Sequence, residues 1–223
     1  ASVAAAFALV HLSAHAGPVL NDPELWTGSL NGWTNAPPTG TATSTLTNPT
    51  YLNVQFGSQS GAPVYEEDTI YTQSADETGN FQIGGLRLRF DFYAEDLLPL
   101  SSVVYMHSTI DPGGYWQYAF TNSGTAAWVL HDLGFVYADG WVWSAGAGSA
   151  VQFWDDLANI DWIGVNIARN LDTAPQDYRL DNWEYYADAP IPEPGSIYML
   201  AAALVSTGLI FRKRLKCAAA GIV

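Results

Sequence analysis

The chain is short of positive charge. It has eight lysines and arginines against 22 aspartates and glutamates, and four of the eight, Arg212, Lys213, Arg214 and Lys216, crowd into five positions near the end. The stretch 17–188 has no lysine, only Arg87, Arg89, Arg169 and Arg179, and with 21 acids it carries a net −17. A field of that sign repels phosphate backbones and anionic surfaces, so nucleic acid is excluded as a partner. Cysteine is nearly absent. The single Cys217 lies outside that stretch, so no disulfide braces the body and a buried core must hold it. Only His107 and His131 follow residue 16, without His-x-His or His-x-x-x-His spacing, which argues against a zinc centre. A Gly-x-Ser-x-Gly elbow, a phosphate loop and any sustained helical period before residue 195 are also missing.

What is present is alternation. "GGLRLRFDFY" sets Leu86, Leu88, Phe90 and Phe92 against Arg87, Arg89 and Asp91, the period of a strand with one buried face. "YLNVQF" alternates in the same way, and "SVVYMHS", "YWQYAF", "AAWVLH", "GWVWSA", "DWIGVNIAR" and "DYRLDNWEYY" are further short runs rich in Val, Ile, Tyr and Trp. Gly, Pro, Asn, Asp and Ser punctuate them. Many short strands with no intervening helices predict an all-β antiparallel β-sandwich of the jelly-roll kind. "FWDDLANI" is expected to form one helical turn, and 34–48, rich in Thr, Ser and Pro, a long surface loop. The acidic runs at Glu66–Asp68, Glu95–Asp96 and Asp155–Asp156 read as solvated loops. Adjacent carboxylates on a strand point to opposite faces, which does not suit the opposed pair of a glycosidase.

All nine tryptophans precede residue 190. Exposed indoles stack on the C–H faces of sugars, which makes Trp116, Trp141 and Trp143 candidate glycan contacts. The same two-residue spacing also suits rings filling a sandwich core, and both readings stand at this point.

Both ends differ from the middle. Ala1 to Leu12 is almost wholly apolar and is followed by Ala14-His15-Ala16, the small-x-small pattern of a signal-peptidase site. At 195–211 there are seventeen uncharged residues, about 25 Å as a helix, just long enough to enter a bilayer core, and the basic stop places its far end in the cytoplasm. Pro192-Glu193-Pro194 precedes this span in an extended, Pro-stiffened linker.

The triplet, the span and the basic stop together resemble the PEP-CTERM sorting signal of Gram-negative bacteria that make exopolysaccharide. The resemblance implies an exosortase as partner, transient anchoring in the inner membrane, then delivery to the cell surface or the extracellular matrix of a biofilm. The organisation expected is a signal peptide over 1–16, a β-sandwich over 17–186, a linker over 187–194, a single transmembrane helix over 195–211 and a cytoplasmic basic tail over 212–223.

"LWTGSLNGWT" near the start and "YRLDNWEY" near the end resemble the first and last strands of carbohydrate-binding jelly rolls. The resemblance implies that these strands lie together and that a structural Ca²⁺ clips them, with Asp22, Glu24 and Asp181 as candidate ligands. Oxygen donors from a flexible acidic cluster are what that ion takes. The chain departs from the pattern where Trp26 stands in the usual Glu position. The function expected is an exported, exosortase-sorted surface or matrix protein, non-catalytic and associated with exopolysaccharide. The alternatives are an extracellular glycan hydrolase or lyase, and a purely structural matrix protein.

Overall fold

A computed structural model describes residues 16–27, 29–35, 44–48 and 50–188. The expected signal segment up to residue 15, the Pro192–Pro194 motif, the 195–211 span and the Arg212–Lys216 stop lie outside the described residues. Among the described residues no helix is long and apolar enough to cross a membrane.

The described residues form ten strands: β1 (Ser44–Thr47), β2 (Leu52–Phe56), β3 (Glu67–Thr72), β4 (Leu86–Ala94), β5 (Ser101–Ser108), β6 (Trp116–Phe120), β7 (Trp128–Gly134), β8 (Val142–Trp143), β9 (Ile160–Ala168) and β10 (Gln176–Ala187). They form two five-stranded sheets, ordered β1-β2-β10-β4-β7 and β3-β9-β5-β6-β8. Every paired strand is antiparallel. The all-β antiparallel sandwich expected from alternation is the fold found. Leu86, Leu88, Phe90, Phe92 and Ala94 of β4 face inward, against Ile163, Val165 and Ile167 of β9 and Val104 and Met106 of β5 in one apolar core.

Strand β10 reverses its own parity. Tyr178 and Leu180 point inward before a bulge between Asp181 and Glu184, and Trp183 and Tyr185 point inward after it. One extra residue flips every later side chain to the other face, and Asn182 absorbs the bend at φ 52°. The bulge is what lets both halves of a twelve-residue strand feed the core.

Four expectations need correction. The 34–48 stretch is not all loop, since β1 occupies Ser44–Thr47 and pairs with β2. The Glu66–Asp68 run is no solvated loop. Glu67 and Asp68 open β3, and Asp68, 3 % exposed, accepts hydrogen bonds from Ser44 N (2.9 Å) and Oγ (2.8 Å), tying the first sheet to the second. Its carboxylate shows why acid count alone misreads position: a partner supplied 24 residues away makes burial cheap. The "LWTGSLNGWT" segment is not a regular strand. The chain just before it touches β10 through isolated bridges at Leu20–Tyr185 and Glu24–Trp183, while within it Thr34 bridges Tyr71 of β3 and positive φ at Trp26, Asn31 and Gly32 breaks its run. The implied closeness to the last strand holds all the same, because Trp33 meets Trp183 at 5.0 Å and Trp26 at 5.7 Å. The helical turn is longer than expected: α1 (Ala150–Asp156) is capped by Ser149, whose Oγ accepts from Gln152 N at 3.1 Å, and runs into a 3-10 turn at Leu157–Asn159.

Candidate functional site

The three tryptophans proposed from sequence lie in the core. Trp116 is fully buried between Trp143 (5.0 Å) and Phe153 (4.9 Å), and its indole N–H donates to Asp156 at 2.8 Å. Trp141 is 2 % exposed, stacks on Phe135 and donates to the Gly134 carbonyl. Trp143 is 8 % exposed. Their ring faces are covered by other rings, so they form no platform for a ligand, and the core-filling reading is the correct one.

The outer face of the second sheet has a different aromatic set. β9 lies between β3 and β5, and its outward residues beyond Trp162 are small: Gly164, Asn166 and Ala168. Tyr71, Gly164 and Tyr105 stand in one cross-strand row. A side chain at Gly164 would not fit, because its Cβ would fall 2.2 Å from the Ile70 carbonyl oxygen and 2.6 Å from Tyr71 Cα. Small floor residues let the flanking rings lie over the strand. Trp162 packs at 5.6 Å from Tyr71, 6.1 Å from Tyr115 and 5.5 Å from His107, which stacks parallel to it within 5°. Tyr105 meets Tyr115 at 5.2 Å. Trp162 is 8 % exposed yet makes none of its ring contacts with the core, so its burial comes from these outward neighbours. Tyr115 and Tyr65 are 40 % and 54 % exposed and complete the pavement.

Polar groups edge this surface. Tyr65 donates to Glu67 Oε2 at 2.6 Å, and that bond, with burial, pushes its phenol up to about 12. Burial likewise raises Tyr105. Both phenols are therefore neutral donors at any ordinary pH. Asn166 Nδ2 donates to Thr69 Oγ1 (3.0 Å), His107 Nδ1 meets Asp161 Oδ1 (2.5 Å), and Ser144 Oγ accepts from Tyr115 N (2.9 Å), which fixes the most exposed ring of the cluster around Trp162. Fixed rings with hydrogen-bonding edges can stack on C–H faces and bond hydroxyls at once.

The opposite face, on the first sheet, is arranged otherwise. The Arg179 guanidinium sits between Tyr51 (5.1 Å) and Tyr93 (4.8 Å) and pairs with Glu95 at 2.6 Å. The cation takes the ring faces a ligand would use, which leaves Trp128, 42 % exposed, at the edge.

A third feature is an acidic cleft of about 450 Å³ lined by Asp22, Glu24, Asp76 and Glu77 with Asn31 and Ser74. Asp181 is not among its lining residues; it sits on β10 across from Asp91. Among the described residues no group of three His, Cys, Asp or Glu side chains is arranged to hold a metal ion. Asp22 and Glu24 line that cleft and Asp181 does not, so the set implied for Ca²⁺ is not gathered into one group among the described residues.

Glu77 is the unusual member of this cleft. It is 7 % exposed, its Oε2 has no hydrogen-bond partner, and burial, with the nearby Glu24 carboxylate second, pushes it up from 4.5 to about 8. Between pH 4.5 and 8 the unfolded chain ionises here while the folded one stays protonated, so this group makes stability fall as pH rises through that window. Glu77→Gln is expected to remove that decline, a gain at pH 8 relative to pH 5 on the order of a few kcal/mol. Urea unfolding of both proteins at the two pH values reads it, and equal pH slopes would overturn it.

Of the other acids considered for catalysis, Glu66 pairs with Arg169, Glu95 with Arg179 and Asp156 with Trp116, while Asp96 and Asp155 are exposed.

No family model matches the chain, and no curated protein matches it in sequence. Solved structures do match. One is an agarase, at TM-score 0.51 and 10 % identity, covering 78 % of this chain and 26 % of that one. Others are the family 11 carbohydrate-binding module of a Clostridium thermocellum cellulosomal cellulase (0.49, 12 % identity, 77 % and 97 % covered) and a cellulose-specific family 28 module (0.45, 12 %, 78 % and 100 %). The agarase likeness, above one half in TM-score, shows a shared two-sheet fold and nothing further. This chain spans about a quarter of that enzyme's length.

Sequence reasoning missed Tyr65, Tyr71, Tyr105, Tyr115 and Trp162 as site residues. The signal was there in "DWIGVNIA": Trp162, Gly164, Asn166 and Ala168 share one face, large at one end and small along the rest, opposite an unbroken Ile163, Val165, Ile167 face.

Proposed function

We propose that the sandwich is a non-catalytic, extracellular polysaccharide-binding module whose ligand lies across the outer face of the second sheet. The observation that carries this is the five-ring cluster of Tyr71, Tyr105, His107, Tyr115 and Trp162, outside the core and edged by neutral donors. Carbohydrate-binding modules among the structural neighbours agree with it in kind. Glu66, Glu95 and Asp156 are held in structural pairs, which weighs against their use as the opposed pair of a hydrolase.

Retention of the purified protein on the matrix polysaccharide of its host tests the proposal. Tyr115→Ala and Tyr71→Ala should each weaken retention about 3- to 10-fold, the loss of one stacked ring, while Trp128→Ala on the other face leaves it unchanged. Equal retention by all four proteins would refute the assignment of this face.

We further propose, from the resemblance of the tail, that an exosortase cuts near Pro192–Pro194 after the span has held the protein in the inner membrane. Mass spectrometry of the mature protein from its native host reads that cut directly. A mature chain that keeps 195–211 would remove the proposal.

A further inference from the structure

The ligand's charge class follows from where the cations are. Of the four arginines in 17–188, Arg87, Arg89 and Arg179 lie on the first sheet, paired with Asp132, Glu184 and Glu95, and Arg169 is fully buried. The outer face of the second sheet receives none of them. Its charged groups are carboxylates, Glu67 at one end of the strand-β9 floor and Asp161 at the other. Glu67 stands beside Ala168, so seven residues of extended chain, about 23 Å, separate the two acids along the floor. Between them lie the rings, and behind them stands a body of net −17.

On the reading that this face binds a polysaccharide, we infer that the preferred ligand is an amino-sugar polymer with free ammonium groups, rather than a neutral or a uronic-acid chain. Ring stacking is indifferent to such a substituent, but the field and the two carboxylates are not. An ammonium carries three donors and no acceptor, and a carboxylate has room for several donors, so Glu67 and Asp161 can each accept one while keeping Tyr65 and His107. A uronate chain meets only like charge here. A neutral chain gains stacking and hydroxyl hydrogen bonds but no charge pairing. Part of the attraction acts at long range and is screened within about 10 Å at 0.1 M salt, so the preference must shrink as salt is added.

Titration calorimetry of the full chain with three probes, a β-linked glucosamine hexamer, its fully N-acetylated form and a hexauronate, tests this at 20 and 300 mM NaCl. The expected result is at least tenfold tighter binding of the free amine than of the acetylated hexamer at low salt, a smaller gap at high salt, no binding of the uronate, and a two- to fivefold loss of amine affinity in Glu67→Gln. Binding of the acetylated hexamer as tightly as the amine would overturn the charge inference and leave the polysaccharide face standing. Amine binding untouched by Tyr115→Ala would also overturn it, since the body's field would then act without the site. Failure of all three probes, with no retention on any neutral glycan, would remove both.

Discussion

Arg169→Ala should unfold the protein at a temperature lower by roughly 10 °C or more. Arg169 has no exposed surface and is the hub of a loop cluster just past β9. Its guanidinium donates to the carbonyls of Gly57 (2.8 Å), Asp172 (2.8 Å) and Ala174 (2.7 Å) and pairs with Glu66 at 2.9 Å. Removing the cation leaves three carbonyls and the Glu66 carboxylate, 30 % exposed, without this donor and empties a fully buried site. The loss of four such bonds at about 1 kcal/mol each costs about 3–5 kcal/mol, and at this chain length each kcal/mol moves the midpoint by about 2–4 °C. Arg169→Lys should recover only part, because one compact ammonium cannot span four acceptors held in a planar fork. Differential scanning calorimetry of both variants decides it. A midpoint within 2 °C of the parent for the alanine variant would mean that the loops hold themselves.

Trp33→Ala is expected to cost about 3–5 kcal/mol and to release the entry segment before the sandwich itself melts. Trp33 is 2 % exposed and is wedged edge-on between Trp26 and Trp183, while only two backbone bonds, Asn21 N to Tyr185 O (2.7 Å) and Glu24 N to Trp183 O (2.8 Å), fasten that segment to β10. Burial of the Trp33 and Trp26 rings therefore carries much of what holds it, beside backbone bonds to other segments at Ala16–Asn80, Val19–Asp76 and Thr34–Tyr71. Amide hydrogen exchange should show Asn21 and Glu24 losing protection while Phe90 and Val165 in the central strands keep theirs. Uniform loss across all four would place Trp33 in the global unfolding unit instead.

Alternation carried most of the fold. Leu86 to Phe92 announced β4 because every second residue had to leave water, β2 followed from the same rule, and β5, β6 and β9 from runs rich in Val, Ile, Tyr and Trp between turn residues. β1 and β3 were illegible for a shared reason. Ser44–Thr47 has one apolar side chain in four, and Glu67–Asp68 looks solvated until Ser44 is known to reach Asp68 from the other sheet. Long-range partners decide such segments, and local propensity does not record them. The site was harder still. Trp116, Trp141 and Trp143 attracted notice as large residues in dense runs, yet dense aromatic runs are what a disulfide-free core requires. The residues that line the outer face are mostly tyrosines, scattered over β3, β5, β6 and their flanks. Only the pairing registers bring Tyr71, Gly164 and Tyr105 into one row.

The chain enters beside the place where it leaves, with Leu20 against Tyr185 and Asp188 N bonded to Gly85 O. Tension drawn from both ends at once would therefore peel the entry segment one bond after another, Ala16 from Asn80 and Val19 from Asp76 before Asn21 is reached. Tension drawn from the exit alone bears on the Asp188–Gly85 bond and not directly on the entry segment. A sandwich wired in this way resists a pull on its exit strand, held along both edges by β2 and β4, better than a pull between its two ends.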